Sequence, residues 1–425
     1  MTDEQTAGKG GMAGYAAAAR EVFAEHPLRA PEIMAKALLC RALHGFGPDS
    51  FFMFDLHNRP VGGWRDYMKL YPDFSRALKL INWRSGNVTQ ERDKVRTSER
   101  CAEAGIAFAP IFAILGRDRA AYPVSPAFRT VDSVDEAEEL LADPAAPAEL
   151  FVKPCADFGG RGLIAATRAG NGWLVDGEVV AARSLAERVL AAGGAYGMMV
   201  QPLLRNHPAM EAIGGAFGLC TVRINLALTS DGPVVFACAL KLLGRAGLAD
   251  NFHGGRTGNL LAQVEIDTGR ILAAYGRKAG HGYLLSRYGS HPATGRTLHG
   301  FQLPFWAETL ALGKRTASVF PESPLLGLDI AITAEGPMLL EKNLHWDTTI
   351  PQIVRAEGVR AMFRRFLPRL VVDDRLREQA CRLIGVERSG EAHAGTPANG
   401  GAQAEEALIL TQTASLEASA SHSPS

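Results

Sequence analysis

Apolar and polar positions change period several times along the 425 residues. From about residue 13 to 90 the apolar positions recur at helical spacing, as in "YAAAAREVFAEH" and "RALKLINW". Aromatic-rich turns separate these patches, which predicts a helical N-terminal region. "SVDE" (133–136) and "SLAE" (184–187) both fit a capping box, with Ser at the N-cap and Glu three residues later. The first predicts a helix through Leu140 and Leu141 that stops before Pro144; the second predicts one through "RVLAA" to Gly193-Gly194. Around them lie short strand-like runs: "ELFVKP", "GLIAAT", "GWLVDG", "YGMMVQPL", "CTVRINLAL", "PVVFACALKLL" and "LAQVEIDTGRIL". Helices alternating with hairpin-like strand pairs predict an α+β architecture with antiparallel pairing. Residues 1–12 are Gly- and Thr-rich, and 389–425 are Ala/Gly/Ser/Pro-rich with hardly an aromatic, so both ends are expected to be disordered.

Length and charge narrow the class. A chain of this size needs two or three packed units. Lys+Arg and Asp+Glu each number 45, so no net field favours nucleic acid or an anionic membrane as the main partner. Cys40, Cys101, Cys155, Cys220, Cys238 and Cys381 are scattered, with no CxxC pair or zinc-like spacing, as expected of reduced, buried thiols. The N-terminus lacks a secretory apolar core, and no stretch reaches the roughly 18 apolar residues that span a bilayer. These features make a cytoplasmic location the expectation.

Chemistry concentrates where strands end. In "LLGLDIAITAEGPMLLEKNLHWD" (325–347) two strand candidates flank the turn-forming "AEGP". Glu341 and Asn343 share a face because strand side chains alternate. Folding the hairpin brings Asp329 opposite Leu340 to Lys342. Two carboxylates beside an amide need a cation between them, and oxygen-only ligands suit Mg²⁺; an exposed hairpin end with ordinary polar residues is the bland alternative. "FVKPCADFGGRG" (151–162) places Lys153 on an apolar strand before Gly159, Gly160, Arg161 and Gly162, a loop able to bring backbone N–H groups up to phosphate. It is neither a Walker A nor a dinucleotide-binding motif, and a plain hairpin turn also explains it.

Further stretches carry two readings each. "MMVQPLL" is a buried strand leading to Pro202, fit either for a core or for pairing with an adenine edge. "TVRINLAL" puts Arg223 and Asn225 on one face, where an inward arginine needs a protein carboxylate or a substrate phosphate. "DNFHGG" (250–255) is either a cradle for an anionic intermediate or a tight surface turn.

The order of these elements resembles the ATP-grasp superfamily. "TVRIN", "DNFHGG", "DTGRIL", "HPATGRTLHGFQLPFW" and "LDIAITAEGPMLLEKNLHWD" are most similar to the sugar-transfer-associated ATP-grasp family, related to α-L-glutamate ligases. The resemblance spans about residues 90 to 370. It implies an ATP-grasp fold, two α+β subdomains gripping ATP, over 91–370 (91–200 and 201–370), with a helical region at 13–90 and a C-terminal helix at 371–388. It also implies roles. Lys94, Lys153, the 159–162 loop and Lys241 would hold ATP phosphates; Gln201, with backbone groups of Val200 and Leu203, would meet adenine. Asp329, Glu341 and Asn343 match Mg²⁺ ligands, and Arg223 the arginine that stabilises transferred phosphate. By residue type rather than by the resemblance, His253 is a candidate proton acceptor, with a structural role as its alternative, and by position alone Trp346 and Asp347 are expected to floor the acceptor pocket.

The implied reaction is ATP-dependent carboxylate–amine ligation through an acylphosphate, with small-molecule substrates. A kinase on the same scaffold and a nucleotide-binding protein without turnover are the alternatives. Two departures stand out: Pro202 follows the hinge glutamine where relatives carry an acid, and "LHWD" replaces the Ser/Thr-Pro-Gly turn of peptide ligases.

Overall fold

In this computed structural model, residues 12–69, 72, 74–83, 92–156 and 162–386 are described. The expectations for both chain ends, apart from residue 12, and for Gly159, Gly160 and Arg161 lie outside the described residues.

Strand-forming runs assemble into two seven-stranded sheets. The first contains β1 (Ala113–Leu115), β2 (Thr130–Val131), β3 (Glu149–Pro154), β4 (Ile164–Ala169), β5 (Gly172–Val175), β6 (Glu178–Ala181) and β7 (Met198–Pro202), in the order β2-β1-β7-β3-β4-β5-β6. The β1–β2 pair is parallel and its other pairs are antiparallel. Helices Val134–Ala142 and Ala182–Ala192 cover one face, burying Leu140, Leu141, Leu185 and Val189 against Leu150, Val152 and Trp173.

Antiparallel pairing runs through the second sheet: β8 (Thr221–Thr229), β9 (Gly232–Leu242), β10 (Leu260–Val264), β11 (Ile271–Gly276), β12 (Ser286–Tyr288), β13 (Leu325–Thr333) and β14 (Gly336–Asn343), ordered β12-β11-β10-β9-β8-β13-β14. Period-two alternation splits its residues between two cores. Val222, Ile224 and Leu226 pack with Leu312 and Ala317 of helix Trp306–Val319. Ala227, Ala237 and Ala239 of the opposite face join Phe74, Trp346, Phe363 and the N-terminal helices.

Two connections position the site. Residues 107–112 run along β14, where Ala109 N–H donates to Leu339 O at 2.9 Å, and then reach β7, where Phe112 N–H donates to Val200 O at 2.8 Å. This strap joins the sheets and covers the outer edge of β14. Helix Ser75–Asn82 is stitched to the second sheet by Asn82, fully buried, whose amide donates to Leu325 O and Leu344 O at 2.6 and 2.7 Å.

The capping box at 133–136 is present: Ser133 Oγ accepts from Glu136 N–H, and Glu136 reaches back to Asp132 N–H, each at 3.3 Å. "SLAE" does not cap. That helix starts at Ala182 directly off β6, so Ser184 lies within its first turn, and the strand end sets the boundary. The expected single run "LAQVEIDTGRIL" is two strands, β10 and β11, folded about a turn where Gly269 has φ +74°. The expected C-terminal helix spans Asp374–Ile384. All six cysteines are free thiols. Among the described residues no helix is long and apolar enough to cross a membrane.

Ile224 is fully buried beneath the strand that carries Arg223. Ile224→Ala is expected to cost about 2–5 kcal/mol of stability, read as a lowered denaturation midpoint; a loss below about 1 kcal/mol would contradict this packing.

Candidate active site

A cavity of about 450 Å³ opens between the two sheets. Its apolar wall includes Phe151, Leu163, Leu204, Phe217 and Leu248, and its polar end gathers Lys94, Lys153, Arg223, Lys241, Asp329 and Glu341.

The register of β13 and β14 sets this polar end. Asp329 pairs directly with Glu341, across a bulge between Asp329 and Ile330, and Asn343 follows two residues later on the same face. Asn343 Nδ2 donates to Asp329 Oδ2 at 3.2 Å. On the other side of β13, Asp329 pairs with Arg223 of β8, whose Nε and Nη2 donate to the two carboxylate oxygens at 2.7 and 2.8 Å. Lys241 of β9 stands 3.2 Å from Asp329 Oδ1 and 2.9 Å from Asp250 Oδ1. Burial pushes the Asp329 carboxyl up, but Arg223 and Lys241 outweigh it and hold the group well below the usual carboxylate range. The same carboxylates keep Arg223 and Lys241 charged despite burial.

Lys94 opens helix Lys94–Glu103, behind the N-cap Asp93. Asp93 accepts from Val95 N–H at 3.0 Å and pairs with buried Arg117. Lys94 N–H is tied to Cys155 O at 2.9 Å and its Nζ lies 3.3 Å from Glu341. Lys153 differs. It is 9% exposed and lines the cavity, yet among the described residues no carboxylate stands within ion-pair distance of it. Burial, reinforced by the neighbouring Lys94, pushes its ammonium down to about 8. A buried ammonium without a partner is costly, so this position seeks an anion.

Four cations (Lys94, Lys153, Arg223, Lys241) face three carboxylates (Asp250, Asp329, Glu341), one positive charge in excess at the cavity's polar end. The groups at this end that could hold a metal are the Asp329 and Glu341 carboxylates and the Asn343 amide, an all-oxygen set of the kind Mg²⁺ prefers. Among the described residues no cluster of three His, Cys, Asp or Glu side chains forms an all-protein cage. By donor chemistry this set suits Mg²⁺ that arrives with phosphates, provided that Asp329 gives up one of the donors now on its oxygens.

Gln201 and Leu203 line the cavity, whereas Val200, His253, Trp346 and Asp347 do not, and part of the expected hydrogen-bonding capacity is used within the protein. Val200 O and Leu203 N–H are spent inside the sheet, accepting from Phe112 N–H and donating to Glu149 O; because groups along a strand alternate sides, the pair left facing away from β3 is Pro202 O and Leu204 N–H. The Gln201 side chain donates to Ala109 O and Pro110 O at 2.9 and 3.0 Å, fastening the strap. His253 is exposed and outside the cavity wall, on a turn held by Arg277, whose Nε donates to Gly254 O at 2.6 Å. Trp346 is core, packed on Phe74 and Phe236, and Asp347 caps Thr349 N–H. Gly162, at the described end of the loop, has φ +66° and lies against Pro154. Asp250 opens "DNFHGG", the stretch read as an anion cradle or a surface turn, but its carboxylate instead pairs with Lys241, a contact the sequence reading does not anticipate. Its place beside Lys241 depends on the loop following β9 folding back over β8, which leaves no periodic trace in the sequence.

The model of the sugar-transfer associated ATP-grasp family matches residues 75–366. The chain belongs to this family. The family match takes in helix Ser75–Asn82, which the sequence reading had assigned to the helical N-terminal region. No curated relative matches. Similar solved structures include D-alanyl-alanine synthetase A from Vibrio cholerae (11% identity, 70% of this chain and 64% of that one, TM-score 0.36). They also include D-alanine-D-alanine ligase from Coxiella burnetii (12%, 69% and 58%, 0.34). This chain thus spans less than two thirds of either enzyme's length, and both scores lie below 0.5, so the family assignment rests on the sequence match.

Only protonated Lys153 attracts phosphate. With its ammonium pushed down to about 8 by burial and by Lys94, affinity for a phosphate-bearing nucleotide is expected to be full below that pH and to fall as pH rises through it. Calorimetric titration with Mg-ATP is expected to show proton uptake near pH 8. Lys153→Met is expected to weaken binding at pH 7 by about ten- to a hundredfold and to flatten the pH dependence; unchanged affinity would contradict this role.

Proposed function

We propose that this ATP-grasp protein is an ATP-dependent carboxylate–amine ligase. The observation that carries the reading is Lys153, a buried ammonium without a carboxylate partner among the described residues, on the wall of a cavity that ends in Asp329, Glu341 and Asn343. The apolar wall takes the adenine, with Pro202 O and Leu204 N–H available for its edge. Lys94 and Lys153 take the phosphates. Asp329, Glu341 and Asn343 would hold Mg²⁺, which supplies charge neutralisation on the phosphates.

A substrate carboxylate oxygen attacks the γ-phosphorus, the bond to the ADP oxygen breaks, and an acylphosphate forms. An amine then attacks the acyl carbon, phosphate leaves with the C–O bond electrons, and the amine gives up a proton. Phosphoryl transfer asks for position and charge compensation, so no protein nucleophile is required. Arg223, on the cavity wall, would offset the charge that develops on the transferred group. The cavity walls exclude water from the acylphosphate.

Phosphate release across a panel of acid and amine pairs tests the reading. Stoichiometric ADP and phosphate are expected only when both an acid and an amine are present, and Glu341→Ala is expected to fold normally but lose at least about a hundredfold in rate. ADP formation with phosphate retained on the acceptor would point to a kinase instead. Turnover by Glu341→Ala equal to that of the parent would overturn the metal assignment.

A further inference from the structure

Asp329 is saturated. A carboxylate offers about four lone-pair positions, and four donors fill them. Arg223 Nε and Lys241 Nζ lie at 2.7 and 3.2 Å from Oδ1, and Arg223 Nη2 and Asn343 Nδ2 at 2.8 and 3.2 Å from Oδ2. Under the proposed function this group must also ligate a metal, so at least one donor must leave when the metal arrives with its nucleotide. Lys241 is 4% exposed, and stripping a buried ammonium of its carboxylate is strongly unfavourable.

A second carboxylate removes that cost. Asp250 Oδ1 lies 2.9 Å from Lys241 Nζ, closer than Asp329 does. Its other oxygen accepts from Thr221 N–H at 2.9 Å and Thr221 Oγ at 2.6 Å. Thr221 is the cross-strand partner of Lys241 and lies two residues before Arg223 on the same face. Asp250 is therefore fastened to the strand that carries the site and cannot follow Asp329 when that group turns to the metal.

We infer that Asp250 is a positioning residue: it holds the Lys241 ammonium in place, so that Asp329 can exchange its ion pair for the metal that accompanies the nucleotide. The inference rests on the proposed function. Without Asp250, Asp329 is the only carboxylate left to Lys241 among the described residues, and the ion pair competes directly with the metal.

Equilibrium binding of a trinitrophenyl-ATP probe, titrated with Mg²⁺ and repeated in EDTA, separates the outcomes. Asp250→Asn is expected to raise the Mg²⁺ concentration for half-maximal binding by about tenfold. In EDTA the same variant is expected to bind the probe as well as the parent or more tightly, because a negative charge has gone. Asp250→Glu, which keeps the charge but shifts it by one methylene, is expected to fall between, and serves if the Asn variant fails to fold. Lys241→Met added to Asp250→Asn is expected to bring the Mg²⁺ requirement back down. An unchanged Mg²⁺ requirement in Asp250→Asn, or equal weakening with and without Mg²⁺, would overturn the inference. If the parent protein binds no probe, or if Glu341→Gln leaves the Mg²⁺ requirement unaltered, the proposed function itself fails.

Discussion

Among the described residues at the cavity's polar end, every buried charge except Lys153 is met by an opposite one, and the bidentate pair between Arg223 and Asp329 is where that constraint acts most strongly. Both groups sit on central strands of the second sheet, directly opposite one another, with Lys241 and Asn343 completing the carboxylate's shell. Removing Asp329 would leave the buried Arg223 guanidinium without its bidentate carboxylate, a loss larger than the pair's own net contribution. The surrounding sheet is therefore built to keep β8, β13 and β14 in one register. A slip by one residue would turn Arg223, Asp329 and Glu341 into the core of helix Trp306–Val319 and turn Ile224 out of it.

The rest of the architecture follows from supporting that row from two sides. One face of the second sheet is apolar and closed by a helix. The opposite face is divided between packing with the N-terminal helices and the polar floor of the cavity. The strap at 107–112 ties the edge strand β14 to β7, so the sheet carrying Lys153 is held over the sheet carrying Asp329. Lys94 belongs to neither sheet. Its helix is anchored by the buried Asp93–Arg117 pair, and the ammonium reaches Glu341 from there. Four separate elements, one helix and strands β3, β8 and β9, thus bring positive charge to one end of one cavity, an arrangement suited to a polyphosphate whose charge is spread over several oxygens.

Much of this was legible from local pattern. Period-two alternation put Glu341 and Asn343 on one face, and the turn at "AEGP" set the hairpin so that Asp329 meets Glu341. An inward lysine on an apolar strand marked Lys153, and the inward arginine of "TVRIN" needed an anion, which is Asp329. What stayed hidden depends on which strand lies beside which. Val200 and Leu203 looked available for a ligand until the pairing of β7 with both the strap and β3 accounted for their backbone groups. Trp346 follows the polar cluster by three residues, but the chain turns there into the aromatic core around Phe74 and Phe363. Asp250 is joined to Lys241 and Thr221 across a loop and two strands, a relation without a repeat or a spacing to reveal it.

A crystal structure with Mg²⁺ and a non-hydrolysable ATP analogue tests the central claim most directly. The account predicts phosphate oxygens within hydrogen-bonding distance of Lys94 and Lys153, and the ion bridging them to oxygens of Asp329, Glu341 and Asn343. A nucleotide bound away from this cavity, or an ion held without those three residues, would contradict it.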